Sequence, residues 1–262
     1  MRKLFATLII ILVAVISVQA KTFVLVHGAL ADGTVWFKLK PLLEARGNKV
    51  VVVNLPGHGK DNTPVSEISY QSYTSAIINS IKAQQEKVIL VGHSMAGLLI
   101  ASVAEQVPDK IEALVFLAAF MPGNGDSVFG LNATDSESQF GSSLVVAADN
   151  SYATLRQDKI ADVFCAECST EDKALLLLSH KAEPLAPLAE KIRLSEEVYG
   201  GIPKYCIITT MDHAVGKDIQ RKLAMRSSNV KKIFQIKSGH LPFLSKPHKL
   251  LKVLLRVEKA NQ

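Results

Sequence analysis

Short apolar runs alternate along this chain with stretches in which apolar residues recur every three or four positions. The runs predict buried strands, and the stretches predict helices with one buried face. We predict strands at residues 22–26, 49–54, 87–91, 111–117, 205–210 and 230–236. Helices are predicted at residues 36–46, 69–84, 94–106, 217–225 and 247–259. The alternation indicates an α/β fold, a mostly parallel, doubly wound sheet with helices on both faces.

The alternation stops from about residue 122 to about residue 200. The first part of this segment, residues 123–149, is rich in Gly, Ser, Asn and Asp. Helical patterns follow near residues 152–158 and 169–179. Because strands resume after the segment, we interpret it as an inserted helical cap over the end of the sheet and not as an independent domain.

The first 20 residues have the layout of a secretory signal peptide. Two basic residues precede an apolar stretch from Leu4 to Val18, and a small-residue cleavage site ends at Ala20. The stretch is shorter than the roughly 20 apolar residues that a membrane span needs. A retained anchor would also leave no linker before the strand that begins at Thr22. We therefore expect a mature domain of residues 21–262 without a stable membrane anchor, exported to a periplasm or out of the cell.

Composition fits one globular domain with a large core, since the 262 residues are 48% hydrophobic and 21% charged. The formal net charge of +6 includes two basic residues of the signal peptide. This mild positive excess is spread along the chain, so no nucleic-acid partner is expected.

The chain has 3 cysteines, few for an exported protein. Cys165 and Cys168 form a C-x-x-C pair, which fits either a disulfide or half of a metal site. A second pair of ligands is missing, so we predict no metal site. Cys206 lies within a predicted strand and is more simply a small core residue.

The segment from Gly92 to Gly97 joins a predicted strand to a predicted helix, with Ser94 in the turn. A serine between a strand and a helix, flanked by small residues, is the nucleophile elbow of serine hydrolases. The tight turn exposes the hydroxyl at the N-terminus of the helix, where backbone N–H groups favour a developing oxyanion. The glycine usual two positions after the serine is replaced by Ala96, a change of one methyl group. The alternative is a serine that merely caps the helix.

A serine nucleophile needs a base, which is itself oriented by an acid. In elbow-type hydrolases the acid and then the histidine follow the serine along the chain. Reactive groups of open α/β sheets lie at the carboxyl ends of strands. Asp212 and His240 satisfy both conditions, because each follows a predicted strand. We predict a Ser94–His240–Asp212 triad, with a structural histidine as the alternative for His240; Asp126, Asp149 and Asp218 lack a position at a strand end.

An oxyanion hole needs one N–H group after the nucleophile and another from the loop after the first long strand. Met95 supplies the first, and Ala29 in the His27-Gly28-Ala29 loop supplies the second. The alternative for this loop is a plain turn at the end of a strand.

These residues together resemble the α/β-hydrolase superfamily, more narrowly the group of plant salicylate-binding methylesterases, hydroxynitrile lyases and related bacterial esterases. The matching blocks are residues 23–29, 36–44, 86–94 and 115–122 and the Gly239-His240 loop. The resemblance covers nearly all of the chain after residue 21 and is weakest in the cap. It implies a sheet of the α/β-hydrolase type, the triad named above, a covalent acyl-enzyme, no cofactor and a substrate pocket beneath the cap.

Two positions separate this chain from the hydroxynitrile lyases of that group. Those lyases carry threonine where this chain has Gly28, and lysine where it has Leu241. Cyanohydrin cleavage is therefore not expected. Dehalogenases and epoxide hydrolases of the wider superfamily use an aspartate nucleophile, which Ser94 excludes. Asn54, where many relatives have aspartate, removes no catalytic group.

The hypothesis from sequence is an exported serine hydrolase that cleaves a small-molecule carboxylic ester. The apolar side chains of the cap favour an apolar acyl or alcohol group. We predict that the substrate pocket includes His27, Gly28, Met121, Leu241 and Phe243. Two alternatives stay open: a hydrolase of another acyl bond (lactone, amide or C–C), and a small-molecule binding protein with little turnover.

Overall fold

The computed structural model describes residues 20–261. The predicted signal peptide lies outside these residues except for Ala20. The strands are β1 (Thr22–Val26), β2 (Lys49–Val53), β3 (Val88–His93), β4 (Ile111–Leu117), β5 (Leu144–Val146), β6 (Tyr152–Leu155), β7 (Glu183–Pro184), β8 (Lys204–Thr209) and β9 (Val230–Ile236). The helices are α1 (Leu39–Glu44), α2 (Tyr70–Lys82), α3 (Ala96–Gln106), α4 (Val128–Asn132), α5 (Phe140–Ser143), α6 (Ile160–Cys165), α7 (Thr170–Ser179), α8 (Leu185–Ala189), α9 (Lys217–Arg226), α10 (Pro242–Ser245) and α11 (Pro247–Ala260).

The main sheet has the strand order β2-β1-β3-β4-β8-β9, and all of its neighbouring pairs are parallel. Its central strands are buried on both faces, which explains their continuous runs of Val, Ile, Leu and Phe. The strand order reverses between β1 and β3. Loops after these two strands leave the sheet side by side, and such a switch point is where open α/β sheets bind their ligands.

Alternate residues of each strand feed two apolar cores, one on each face of the sheet. In β1, Val24 and Val26 pack into the core that α2 and α3 cover. Phe23 and Leu25 pack into the opposite core, together with Trp36 and residues of α1 and α11. The two cores hold the sheet rigidly, so the loops at its edge start from fixed positions.

The α/β fold class predicted from the sequence is confirmed, because the six predicted strands are the six strands of this sheet. Their ends differ from the prediction by one or two residues at most. The largest extension is at β3, where His93 still pairs with Leu117 of β4. The predicted helix at 36–46 is divided into a short 3₁₀ turn (Gly33–Trp36) and α1.

The segment between β4 and β8 contains α4 to α8 and a second sheet, antiparallel, in the order β5-β6-β7. The helix predicted near residues 169–179 is present as α7, and Ser169 caps it. The helix predicted near residues 152–158 is wrong, because Tyr152–Leu155 is strand β6. Its side chains alternate between exposed and buried, a period of two that a helix cannot produce. The cap is therefore mixed in structure and not purely helical.

The cysteines take two different roles. Cys165 and Cys168 are joined by a disulfide between α6 and α7, so the half metal site is the alternative that does not hold. Cys206 in β8 is a free, buried thiol, and burial raises its pKa to about 12. Within residues 20–261 no group of three or more His, Cys, Asp or Glu side chains is placed to hold a metal ion.

No helix in the part of the chain that the structure describes combines the length and the apolar character that crossing a membrane requires.

Candidate active site

Ser94 occupies the sharp turn between β3 and α3, with a positive φ of 55°. A non-glycine residue in this left-handed region is strained and is held there by its surroundings. The N–H of Ser94 donates to Leu117 O at 3.2 Å, and its carbonyl accepts from Gly97 N at 3.0 Å. A Cβ atom at Gly97 would overlap the carbonyl of Phe120, so this glycine lets α3 pack closely behind the turn.

Asp212 and His240 meet in a buried hydrogen bond. The Nδ1–H of His240 donates to Oδ2 of Asp212 at 2.8 Å, although the residues lie 28 positions apart in the chain. Oδ1 of Asp212 accepts from the N–H groups of Ala214 (2.8 Å) and Val215 (2.9 Å). Oδ2 also accepts from Thr209 Oγ1 at 2.6 Å. These contacts hold the Asp212 side chain in place, and its acceptor oxygen fixes the proton of His240 on Nδ1.

The other ring nitrogen of His240 is free. Among residues 20–261, Nε2 of His240 is buried and has no hydrogen-bond partner. The hydroxyl of Ser94 therefore does not donate to it in this structure. Catalytic hydrogen bonds are often long in unliganded enzymes and tighten when a substrate binds. The arrangement leaves His240 with one unshared lone pair on a buried ring nitrogen.

His93 connects the turn at Ser94 to His240. Its Nε2–H donates to the carbonyl of His240 at 2.9 Å, and the two ring centroids are 4.5 Å apart. Burial and the neighbouring His240 lower the pKa of His93 well below 6.5, so its ring is neutral. The sequence shows His93 only as a neighbour of the serine; its partner lies 147 positions away.

The loop after β1 crosses directly over the serine. A Cβ atom at Gly28 would lie 2.7 Å from Nδ1 of His93 and 2.8 Å from Cβ of Ser94. The next residue, Ala29, lies in the wall of a cavity beside Ser94 and Met95. Within the described residues, no hydrogen bond occupies the N–H of Ala29 or of Met95. Both groups are therefore available to a ligand.

A buried carboxylate of the cap, Glu183, binds the backbone of the loop after β1. Leu30 has a positive φ of 63°, and its N–H donates to Oε2 of Glu183 in β7 at 2.8 Å. Oε1 of Glu183 accepts from the hydroxyl of Tyr73 at 2.9 Å. His58 Nε2–H also donates to Oε2 of Glu183 at 3.1 Å. The cap thus supports the backbone on which Ala29 lies.

His58 carries a positive charge in the folded protein. Its Nδ1 faces the carbonyl of Pro56 at 3.0 Å and its Nε2 faces Glu183, so both nitrogens must donate. Burial opposes the charge, but the hydrogen bond and the charge of Glu183 outweigh it and raise the pKa of His58 above 6.5. His27 is different, because burial and the charge of His58 lower its pKa to about 4. A neutral His27 accepts from Leu55 N at 3.1 Å.

The cavity beside Ser94 is small and mostly apolar, with a volume of about 20 Å³, which holds roughly one water molecule. Its polar members are Ser94 and Asn132. The remaining wall residues are Ala29, Met95, Phe120, Val128, Phe129, Phe140, Leu188, Ala214 and Val215.

The five residues predicted to form the substrate pocket do not form this wall. His27 and Gly28 lie in the β1 loop, with His27 bonded to the backbone of Leu55. Met121 and Leu241 are buried. Phe243 packs on Trp36, with ring centroids 4.4 Å apart. Five of the eleven wall residues come from the cap, where local patterns do not show which side chains point inward.

Comparison with known proteins agrees with this architecture. Residues 23–253 match the Alpha/beta hydrolase family, and the chain belongs to it. A putative chloroplastic methylesterase 12 of Arabidopsis thaliana is 34% identical over 257 residues, which cover 92% of this chain and 72% of that protein. An alpha-hydroxynitrile lyase of Arabidopsis thaliana is 33% identical over 252 residues, or 87% of this chain and 93% of that protein.

Among solved structures, polyneuridine aldehyde esterase superposes with a TM-score of 0.80 at 29% identity, over 91% of this chain and 99% of that one. The group that the sequence resembles is thus confirmed. The chain is a carboxylic-ester hydrolase of the alpha/beta hydrolase family.

Gly28→Ala should lower kcat/KM for p-nitrophenyl acetate by about 100-fold or more, since a displacement near 1 Å at a reacting centre can cost that much. The added methyl group would meet the His93 ring and Ser94 Cβ. Gly123→Ala is the matched control, because its Cβ would meet its nearest neighbours at 3.7 and 3.8 Å, an ordinary contact. Equal activity of both variants would mean that the β1 loop does not crowd the serine.

Glu183→Gln should destabilise the protein by about 3 kcal/mol, the typical loss when one partner of a buried ion pair is removed. The pKa of His58 is raised by folding, so its contribution is full below 6.5 and disappears as pH rises through the folded-state pKa. The difference in unfolding free energy between wild type and Glu183→Gln should therefore be largest near pH 6 and shrink towards pH 9. Chemical denaturation at several pH values measures it, and a difference independent of pH would contradict a charged His58.

Proposed function

We propose that the protein is an exported serine esterase that cleaves small carboxylic esters through an acyl-enzyme on Ser94. The observation that carries this proposal is the buried pair of Asp212 and His240, joined at 2.8 Å. The pair holds the proton of His240 on Nδ1 and leaves Nε2 bare, in the tautomer that a general base requires.

In the proposed acylation step, the hydroxyl oxygen of Ser94 attacks the carbonyl carbon of the ester. His240 Nε2 takes the hydroxyl proton as the new C–O bond forms. Asp212 stabilises the resulting imidazolium, and the carbonyl oxygen of the ester becomes an oxyanion. When the tetrahedral intermediate collapses, His240 returns the proton to the departing alcohol. Ser94 then carries the acyl group.

The unoccupied N–H groups of Ala29 and Met95 are proposed to bind the oxyanion. Met95 precedes the first turn of α3, whose positive end adds to the stabilisation. Removing one donor of such a site typically costs about 100- to 1,000-fold in kcat. Hydrolysis of the acyl-enzyme follows the same steps, with water in place of Ser94 as the attacking group and with His240 again as the base.

The cavity favours a small, uncharged substrate. Its wall carries no cationic side chain, and its polar members beside the serine are limited to Asn132. A volume near 20 Å³ leaves room for a group of the size of a methyl, unless the cap opens. The methylesterase and esterase relatives support the same class, so we propose a methyl or similarly short ester as the substrate.

Hydroxynitrile lyase activity is the second candidate, because one relative carries that name. Two features of this chain oppose it. A Cβ atom at Gly28 would lie within 2.8 Å of Ser94 and His93, so the site excludes the threonine of the lyases. Leu241 supplies no charge beside His240, whereas the family resemblance implies a lysine at this position in lyases. Both features favour ester hydrolysis.

Export is proposed from the first 20 residues of the chain, and the disulfide between Cys165 and Cys168 supports it. Disulfides persist in the periplasm and outside the cell, and they are rare in reducing compartments.

Ser94→Ala should reduce kcat for p-nitrophenyl acetate by about a million-fold, as expected for loss of a serine nucleophile. Ser102→Ala on the same helix is the control, since Ser102 bonds to Tyr70 and is absent from the cavity wall. Stopped-flow measurement should also detect an acyl-enzyme burst in wild type. Equal activity in wild type and Ser94→Ala would refute the nucleophile, and inactivity of wild type on short esters would favour another acyl bond or a binding protein.

Expression of the full chain in a bacterium should yield a mature protein that begins at Lys21, in the periplasm or the medium. N-terminal sequencing and cell fractionation measure this outcome. An uncleaved chain that stays in the cytoplasm would refute the proposed signal peptide.

A further inference from the structure

The disulfide turn of the cap lies against the loop that carries His240. The turn joins α6 to α7, and Glu167 lies in it between Cys165 and Cys168. One carboxylate oxygen of Glu167, Oε1, accepts from Gly239 N at 2.5 Å and from Ser238 Oγ at 3.0 Å. These two donors directly precede His240. The cap thus binds the loop that carries His240 at Gly239, the residue before the proposed base.

His240 is held by hydrogen bonds on both sides of its backbone. Before it, the Gly239 N–H is held by Glu167. After its α-carbon, its own carbonyl is held by His93 Nε2–H at 2.9 Å. The ring of Phe164, from α6, stacks on the His240 imidazole with centroids 5.6 Å apart and planes 22° apart. The short segment that ends in the disulfide turn therefore contacts both the ring of His240 and the loop that carries it.

The second carboxylate oxygen of Glu167 disfavours the buried position of this side chain. Oε2 is buried without a hydrogen-bond partner among residues 20–261. An unsatisfied carboxylate oxygen is costly to bury, so water outside the protein competes for this side chain. The disulfide opposes the movement of Glu167 into water. It joins Cys165 to Cys168 and so restricts the backbone of Ala166 and Glu167 between them.

We propose that Glu167 is a positioning residue for His240, and that the Cys165–Cys168 disulfide keeps it in place, so that reduction of the disulfide lowers esterase turnover. The proposal rests on the proposed function of His240 as the base. A dithiol reductant supplies two electrons and two protons: the S–S bond breaks, two S–H groups form, and the dithiol closes to its own disulfide. The turn is then free to let Glu167 leave Gly239.

Cys206 does not interfere with this chemistry. It packs into the core on the α2 and α3 face, whereas Cys165 and Cys168 pack into the core on the opposite face. Its buried thiol, with a pKa raised to about 12, is a poor partner for exchange. A redox response of the folded protein is therefore assigned to the Cys165–Cys168 pair.

The first experiment measures kcat and KM for p-nitrophenyl acetate in two variants of Glu167 and in one control variant. Glu167→Ala should lower kcat by about 10- to 100-fold with little change in KM, since a misplaced base affects chemistry more than binding. Glu167→Gln should recover most of kcat, because its amide oxygen can accept the same two hydrogen bonds. Asp162→Ala is the control: it removes an exposed acid of helix α6, which precedes the turn, and should leave kcat unchanged. Wild-type kcat in Glu167→Ala would overturn the proposal.

The second experiment tests the disulfide. Dithiothreitol, and separately the double change Cys165→Ser with Cys168→Ser, should lower kcat to the level of Glu167→Ala. Neither should lower it further in the Glu167→Ala background, since coupled residues are not additive. A kcat that is unaffected by reduction, with two free thiols verified by titration, would overturn the redox part. An additive loss would show that the disulfide acts by another route and would likewise overturn it.

Hydrogen exchange separates this proposal from the proposed function. The peptide that contains Gly239 should exchange faster in Glu167→Ala and in the reduced protein than in the oxidised wild type, and this readout needs no turnover. If exchange increases while Ser94→Ala keeps full activity, Glu167 does hold the His240 loop but the catalytic assignment fails. If exchange does not change, Glu167 does not hold the loop and the proposal is overturned.

Discussion

The arrangement of the site depends on the close approach of two loops, one after β1 and one after β3, at the edge of the sheet where these strands end side by side. The parallel sheet brings the loop after β1 over the turn after β3, and the space between them is too small for a Cβ atom at position 28. In this chain the glycine before Ala29 lets the backbone of Ala29 lie beside Ser94. Ser94, in the sharp turn between β3 and α3, has a left-handed conformation and lines the cavity.

Close packing at this edge also buries four histidines, so the state of each one is set by its direct partners. His58 faces a carboxylate and a carbonyl and is charged, whereas His27 and His93 each face groups that suit a neutral ring. His240 has its proton fixed by Asp212 and keeps one bare nitrogen. Four histidines in one region thus take different roles because their hydrogen-bond partners differ, although their burial is similar.

The sequence predicted the sheet and the three proposed triad residues because each has a local signal. Central parallel strands are continuous apolar runs, and Asp212 and His240 lie immediately after such runs. The supporting residues have no local signal. Glu167 meets Gly239 from 72 positions away, and Glu183 meets Leu30 from 153 positions away, so neither contact is visible in a sequence window. Strand β6 was mistaken for a helix because four residues are too few to separate the two periods.

These long-range contacts change what the cap does. A simple lid would cover the cavity and contact the core through apolar surfaces. This cap instead sends carboxylates to loops of the core, among them Glu183 to the loop of Ala29 and Glu167 to the loop of His240. A carboxylate is suited to this task, because backbone N–H groups at the ends of parallel strands lack partners and an anionic acceptor binds them strongly. The cap can therefore vary in sequence and still be required, provided that it delivers an acceptor to each of these two N–H groups.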